Sequence, residues 1–143
     1  MKLSKNLARL GLAAATAVGL VVTVAGSASA NVIPVGQGAG ACPTNYVCLW
    51  SENGYVGNTG PTGKFAAIGS DQNIGDLGKL EHTSPGDRGM QDITSSVINN
   101  TGSHICFYEH NWYGGAEFKI GPWERWPSVP SWINDKISSF KYC

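Results

Sequence analysis

The chain has 143 residues, with ten Lys and Arg set against ten Asp and Glu, and only 14% of its residues carry charge. Without a basic excess it offers no electrostatic footprint for nucleic acid, which excludes that class of partner. All 14 aromatic residues (5 Trp, 5 Tyr, 4 Phe) and all 4 cysteines lie after residue 40, so the chemistry of the fold is concentrated there.

The first thirty residues read as a secretory signal peptide. Lys2, Lys5 and Arg9 make a basic start, Leu10 to Ala25 is small and apolar, and Ser27-Ala28-Ser29-Ala30 ends in a small-x-small cleavage site. The apolar run is too short and too rich in Ala and Gly for a membrane span. Cleavage after Ala30 leaves Asn31–Cys143, with 7 basic and 10 acidic residues, 7 − 10 = −3, and no second hydrophobic segment to hold a membrane. The expected product is a secreted, monomeric single domain.

Residues 31–41 are Gly-rich and without period, and are expected to form a flexible arm. Tyr46–Trp50 predicts a strand, Asn53-Gly54 a tight turn, and Lys64–Ile68 a second strand. Gly69–Met90 reads as a long loop with a helical turn near Asp76–Leu80, and Ser95–Asn99 returns to strand. Ser103–Tyr108 and Ala116–Ile120 predict strands around a turn at His110–Gly115. Gly121–Trp132, with three prolines and three tryptophans, reads as an ordered loop, and Ser138–Tyr142 is the last strand. Short strands with dense turns predict an all-β sandwich or barrel.

One stretch is written twice. Cys48-Leu49-Trp50 with Tyr55 and Gly57 aligns without a gap on Cys106-Phe107-Tyr108 with Tyr113 and Gly115. Gln91-Asp92-Ile93-Thr94-Ser95-Ser96 follows the first copy, and Asn134-Asp135-Lys136-Ile137-Ser138-Ser139 follows the second. The domain at 42–143 therefore divides into motif one at 42–101 and motif two at 102–143. A hairpin folded over its own sheet needs an aromatic pair to hold it and a Gly where a Cβ is barred. Trp50, Tyr55 and Gly57, and Tyr108, Tyr113 and Gly115, fit those structural roles. Of the three ways to pair four cysteines, Cys42–Cys48 with Cys106–Cys143 is the expected one. The first bond closes a seven-residue loop and the second ties the start of motif two to residue 143. On the loop-entropy model they contribute at most about 2 and about 4 kcal/mol.

Tyr108-Glu109-His110-Asn111-Trp112-Tyr113-Gly114-Gly115 resembles the Greek-key signature of βγ-crystallins, and Asn134–Ser139 resembles their microbial calcium motif. The opening Cys42-Pro43, the return to Cys48 and the hairpin that follows resemble the secreted peptidase inhibitor family I36. The resemblance implies a βγ-crystallin-like Greek-key sandwich of two motifs, stapled by disulfides. It also implies an inhibitor that binds an extracellular (metallo)protease through a rigid loop, with Tyr46 and Val47 as anchors on the Cys42–Cys48 loop. The second implication is a calcium-binding module. Its ligands would be Asn134, the Lys136 carbonyl, Ser138 and the Glu52 region at one site. At the other they would be Asp92, the carbonyl of Ile93 or Thr94, Ser95 and Glu109. Gln91 stands where Asn or Asp belongs in the first motif, so that site is expected to be weakened.

The sequence carries no catalytic signature. His82, His104 and His110 lack zinc spacing, no Gly-x-Ser-x-Gly elbow exists, and Glu52, Glu109, Glu117 and Glu124 have no spacing that sets them apart from solvated charge. Trp123, Trp126 and Trp132 allow a toxin-like or cell-surface binding protein whose indoles stack on a sugar or a partner. The preferred reading puts Trp123 and Trp132 in the core of motif two.

Overall fold

The computed structural model describes residues 34–57, 62–66, 73–79 and 89–143, so the signal peptide expected at 1–30 lies outside the described residues. Among the described residues seven strands form two antiparallel sheets: β1 (Tyr46–Trp50), β2 (Thr62–Ala66), β3 (Ser96–Asn100), β4 (Ile105–His110), β5 (Gly114–Ile120), β6 (Arg125–Trp126) and β7 (Ser139–Tyr142). One sheet runs β2-β1-β3-β6 and the other β5-β4-β7. The two sheets face each other as an all-β sandwich. Between them lie Val47, Leu49 and Val97 of the first sheet and Ile105, Phe107, Phe118, Ile120 and Phe140 of the second. Phe107 sits at the centre, with ring centroids 6.2 Å from Phe118 and 5.6 Å from Phe140.

The motifs exchange pieces. β6 belongs to motif two by sequence but pairs with β3 of motif one, Val97 opposite Trp126. Ile74 of motif one makes a reciprocal pair of main-chain hydrogen bonds with Phe140 in β7, at 2.9 and 3.0 Å. Each sheet thus borrows a segment from the other motif, and neither half is complete alone. β6 was not expected, because a two-residue strand between prolines leaves no period to read. The helical turn is present as a 3-10 turn at Leu77–Lys79. Its Leu77 is fully buried, as is Met90, so the stretch read as a polar loop contributes to the core.

The outer face of the first sheet carries a second, smaller apolar cluster of Val35, Cys42, Cys48, Trp50 and Ile98. Residues 34–41, expected to be loose, are docked onto it. Val35 N–H donates to Thr62 Oγ1 (3.2 Å), and Thr62 Oγ1 donates back to the Val35 carbonyl (2.8 Å). The Trp50 indole N–H donates to the Gly36 carbonyl (2.9 Å), and Gly38 N–H to the Tyr55 carbonyl (2.8 Å). Glycine-rich composition hid this, because the anchoring is done by main chain and one valine. Both disulfides pair as expected, Cys42–Cys48 and Cys106–Cys143, each with Cα atoms 5.9 Å apart.

Candidate functional site

The two hairpins fold over their sheets in the same way. Trp50 packs edge-on against Tyr55 at 5.3 Å and Tyr108 against Tyr113 at 5.8 Å, both with ring planes at 66°. The last serine of each repeated motif latches its hairpin. Ser96 Oγ donates to the Glu52 carbonyl and Ser139 Oγ to the His110 carbonyl, both at 2.6 Å. The same hydroxyls accept from Tyr55 N–H (3.1 Å) and Tyr113 N–H (3.0 Å). Gly115 has φ +77°, and a Cβ there would lie 3.0 Å or less from His110 and Glu109 side chains. Gly57 does not repeat this. In the first hairpin the left-handed residues are Gly54 (φ 73°) and Tyr55 (φ 64°), at the positions of Trp112 (φ 58°) and Tyr113 (φ 66°) in the second.

The serine before each latch meets an acid from the opposite motif. Ser138 Oγ lies 2.7 Å from Asp92 Oδ1, and Ser95 Oγ lies 3.1 Å from Asp135 Oδ1. Asp92 (φ 56°) and Asp135 (φ 55°) occupy the same left-handed conformation. Each is tied by its N–H across the pair, Asp92 to the Ile137 carbonyl at 3.0 Å and Asp135 to the Thr94 carbonyl at 3.2 Å. Such conformations cost of order 1 kcal/mol in a side-chain-bearing residue and persist where the surroundings fix them. The ligand sets expected from sequence are therefore regrouped. Ser138 is brought to Asp92 and to the Glu109 carbonyl, rather than to Asn134 and Glu52. Ser95 is brought to Asp135, whose other oxygen accepts from Asn134 Nδ2 (2.8 Å), rather than to Asp92 and Glu109. Glu52 aligns with His110, and Ser51 with Glu109; the Glu52 carbonyl is used by the Ser96 latch. Gln91 lines the Ser138 pocket, but its amide oxygen lies against Gly78 and the neighbouring Asp92 supplies the carboxylate.

The Ser138 pocket, about 450 Å³ and open to solvent, is lined by Gln91, Asp92, Glu109, Asn111, Asp135 and Lys136 among others. Ser138 Oγ is within reach of three acceptors, Asp92 Oδ1 at 2.7 Å, the Glu109 carbonyl at 2.9 Å and the Lys136 carbonyl at 3.4 Å. One hydroxyl has one hydrogen, so Ser138 can donate to only one of these at a time. Asn111 Oδ1, on the same wall, is buried without a hydrogen-bond partner. This excess of converging oxygen is the hard donor set that suits Ca²⁺, which takes six to eight oxygen ligands including carbonyls and waters. Among the described residues no group of three or more His, Cys, Asp or Glu could hold a metal, so carbonyls and a hydroxyl are needed to complete the set. Lys136 Nζ lies 3.6 Å from Glu109 Oε1 with half of its side chain exposed, which leaves it free to swing away from an incoming cation.

The Cys42–Cys48 loop lies on the opposite, outer face of the first sheet. Asn100 clamps it twice: its carbonyl accepts from Asn45 N–H (2.7 Å) and its side-chain Nδ2 donates to the Cys42 carbonyl (3.0 Å). Thr44 and Asn45 form the exposed tip, Asn45 in the left-handed region at φ 66°. Val47 is fully buried in the sandwich and cannot anchor a partner; Tyr46 is half-buried on β1. Strand alternation turns Val47 inward, and the sequence reading placed it on the loop only because it lies between the two cysteines.

The indole cluster also differs from expectation. Trp123 and Trp132 are 54% and 47% exposed, while Trp126 is the better covered. Trp126 and Trp132 meet the Phe118 ring edge-on, at 5.2 and 6.1 Å. Trp112, which sequence reasoning did not single out, is 68% exposed, with φ 58° at the position of Gly54.

Residues 36–120 match the model of peptidase inhibitor family I36. The chain belongs to that family. No functionally curated protein matches it in sequence. A structure bearing on the evolution of the eye-lens βγ-crystallin domain fold matches with a TM-score of 0.55 at 19% identity, covering 76% of this chain and 96% of that one. A βγ-crystallin from Ciona intestinalis matches with a TM-score of 0.50 at 21% identity, covering 68% of this chain and 99% of that one. At such identities the likeness establishes the fold, a βγ-crystallin sandwich. Both the family and the fold are of non-enzymatic kinds. No helix among the described residues is long and apolar enough to cross a membrane.

Proposed function

We propose that this I36 family member is a secreted inhibitor that holds an extracellular protease, of the metalloprotease class first, through the loop closed by Cys42–Cys48. The observation that carries the reading is the double clamp of Asn100 on that loop, added to the disulfide. A loop fixed before binding loses little further entropy on entering a cleft, and a cut strand held in place is slow to leave. Thr44 and Asn45 are the residues offered, with Tyr46 at the side. Export is supported by the residue pattern of 1–30 and by two disulfides, which persist in oxidising compartments. The test is titration of the oxidised protein into a thermolysin-like metalloprotease and a panel of serine proteases. A linear loss of activity to a stoichiometric endpoint is expected, weakened at least tenfold in the Cys42→Ser, Cys48→Ser double variant. Inhibition of no protease in the panel, or equal inhibition by the double variant, sinks this reading.

A second reading, calcium binding, is favoured by the oxygens converging on Ser138. Asp92, Ser138 and the carbonyls of Glu109 and Lys136 would hold the ion, which when bound would supply positive charge joining the two motifs. The expected dissociation constant is that of extracellular modules, roughly 10⁻⁴ to 10⁻³ M. Calorimetric unfolding in millimolar calcium and in EDTA decides it: coincident transitions would rule the site out.

A further inference from the structure

The second sheet has one open side. The outer edge of β7 is occupied by Ile74, whereas β5 is bonded among the described residues on one side only, to β4. The pairing tells which β5 groups are spent. Ser138 N–H donates to the Tyr108 carbonyl and Cys143 N–H to the His104 carbonyl, so the even-numbered residues along β4 point their main-chain groups toward β7. Ile105 and Phe107 therefore face β5, where they pair with Ile120 and Phe118. The main-chain N–H and C=O of Glu117 and Lys119 are left pointing away from the sheet, and no described residue bonds to them.

Those two residues carry opposite charges, and both are exposed. Glu117 accepts from the Tyr108 hydroxyl through Oε2 (2.8 Å), which leaves its other oxygen available. Lys119 has no ion-pair partner among the described residues. Edge strands commonly carry charge to repel like edges. Here the charges make the edge complementary to itself.

We propose that β5 pairs antiparallel with β5 of a second copy of this chain, on a two-fold axis through Phe118. In that register Glu117 of each copy lies opposite Lys119 of the other. Both are residues with free main-chain groups, so the same register that pairs the charges also makes four new main-chain hydrogen bonds. A slip of two residues either way sets Glu117 against Glu117 or Lys119 against Lys119, and directly opposed like charges are unfavourable. Of these three registers only the first opposes unlike charges, and its symmetry closes the assembly at two copies. Trp132, half-exposed, packs edge-on against the ring of Phe118, the residue on the axis. The inference is independent of what the Cys42–Cys48 loop binds, since that loop is on the other sheet.

The test is sedimentation equilibrium of the oxidised protein from micromolar concentration to its solubility limit, with zero-length carbodiimide cross-linking and peptide mapping. The mass is expected to rise toward twice the monomer, with a Glu117–Lys119 cross-link between copies. Glu117→Lys and Lys119→Glu should each be monomeric, while their mixture should recover the wild-type association, because one copy then presents two lysines and the other two glutamates. Glu117→Lys also loses the Tyr108 contact, so circular dichroism checks its fold; Lys119→Glu, which breaks no contact seen here, stands as the second variant. A wild type monomeric at every concentration, or charge variants that self-associate as wild type does, overturns the proposal.

Discussion

Replacing Ser138 by Ala separates the oxygen cage from its structural surroundings. In EDTA the variant loses one hydroxyl hydrogen bond, to the exposed Asp92 carboxylate at 2.7 Å, which costs about 1 kcal/mol. For a folded unit of this size that is about 4 °C in Tm. Calcium at 100 times its Kd adds about 2.7 kcal/mol to the wild type, roughly 10 °C, and the increment falls with each ligand removed. Ser138→Ala should therefore lie about 4 °C below wild type in EDTA and well over 10 °C below it in calcium. Ser95→Ala is the control. Its hydroxyl meets Asp135 at the longer distance of 3.1 Å with no carbonyl gathered beside it, so it should keep most of the calcium increment. Scanning calorimetry of the three proteins under both conditions reads all six values. An equal calcium shift in wild type and Ser138→Ala would refute the reasoning, because the hydroxyl at the focus of the cage would then contribute nothing to the ion.

Phe107→Ala removes the fully buried ring between Phe118 and Phe140 and should cost about 3–5 kcal/mol, read as a lower denaturation midpoint in urea. Gly115→Ala should be more damaging than Gly54→Ala. Both sites have positive φ, at about 1–2 kcal/mol for an L residue, but only at Gly115 would the new Cβ collide, at 2.9 Å from His110; thermal melts of the pair check the order. Asn100→Ala should leave the fold intact and cost about 1 kcal/mol, while making the loop at Thr44–Asn45 a faster site of proteolytic nicking, seen by mass spectrometry. Burial first, then the hydrogen bond to Glu117 and its charge, pushes the Tyr108 hydroxyl up to about 12 from an ordinary value near 10. The folded state holds that proton more tightly than the unfolded chain, so stability is whole below pH 10 and declines as pH rises from 10 toward 12. Tm against pH should show this fall in wild type and a flatter curve in Tyr108→Phe.

What could be read from the residues was local. The aromatic pairs Trp50 with Tyr55 and Tyr108 with Tyr113, the turn signals and the Cys42–Cys48 spacing each act within a few residues, and only the Cys106–Cys143 bond, 37 positions long, reaches further. What could not be read was which partner comes from the other motif. Nothing near Ser138 in sequence says that Asp92, rather than Asn134, will meet its hydroxyl, because that choice is made by the approach of two loops in space. The docked arm at 34–41 escaped notice for a similar reason: its bonds run from main chain to Thr62, Trp50 and Tyr55. Val47 was misplaced because the loop ends at Asn45, and from Tyr46 the alternation of β1 takes over.

The exchange between motifs also bears on how the chain reaches this state. Ser138 is joined to Asp92 across 46 positions and Ser95 to Asp135 across 40, and Ile74 bonds to Phe140 at a greater separation still. None of these contacts forms until most of the chain is present, and contacts so distant in sequence slow the search for the native state. A single motif on its own has no partner for its own acid and lacks the fourth segment of its own sheet, β6 for motif one and the Ile74 bridge for motif two. The two halves therefore complete each other, and the contacts that do so are the ones most distant in sequence.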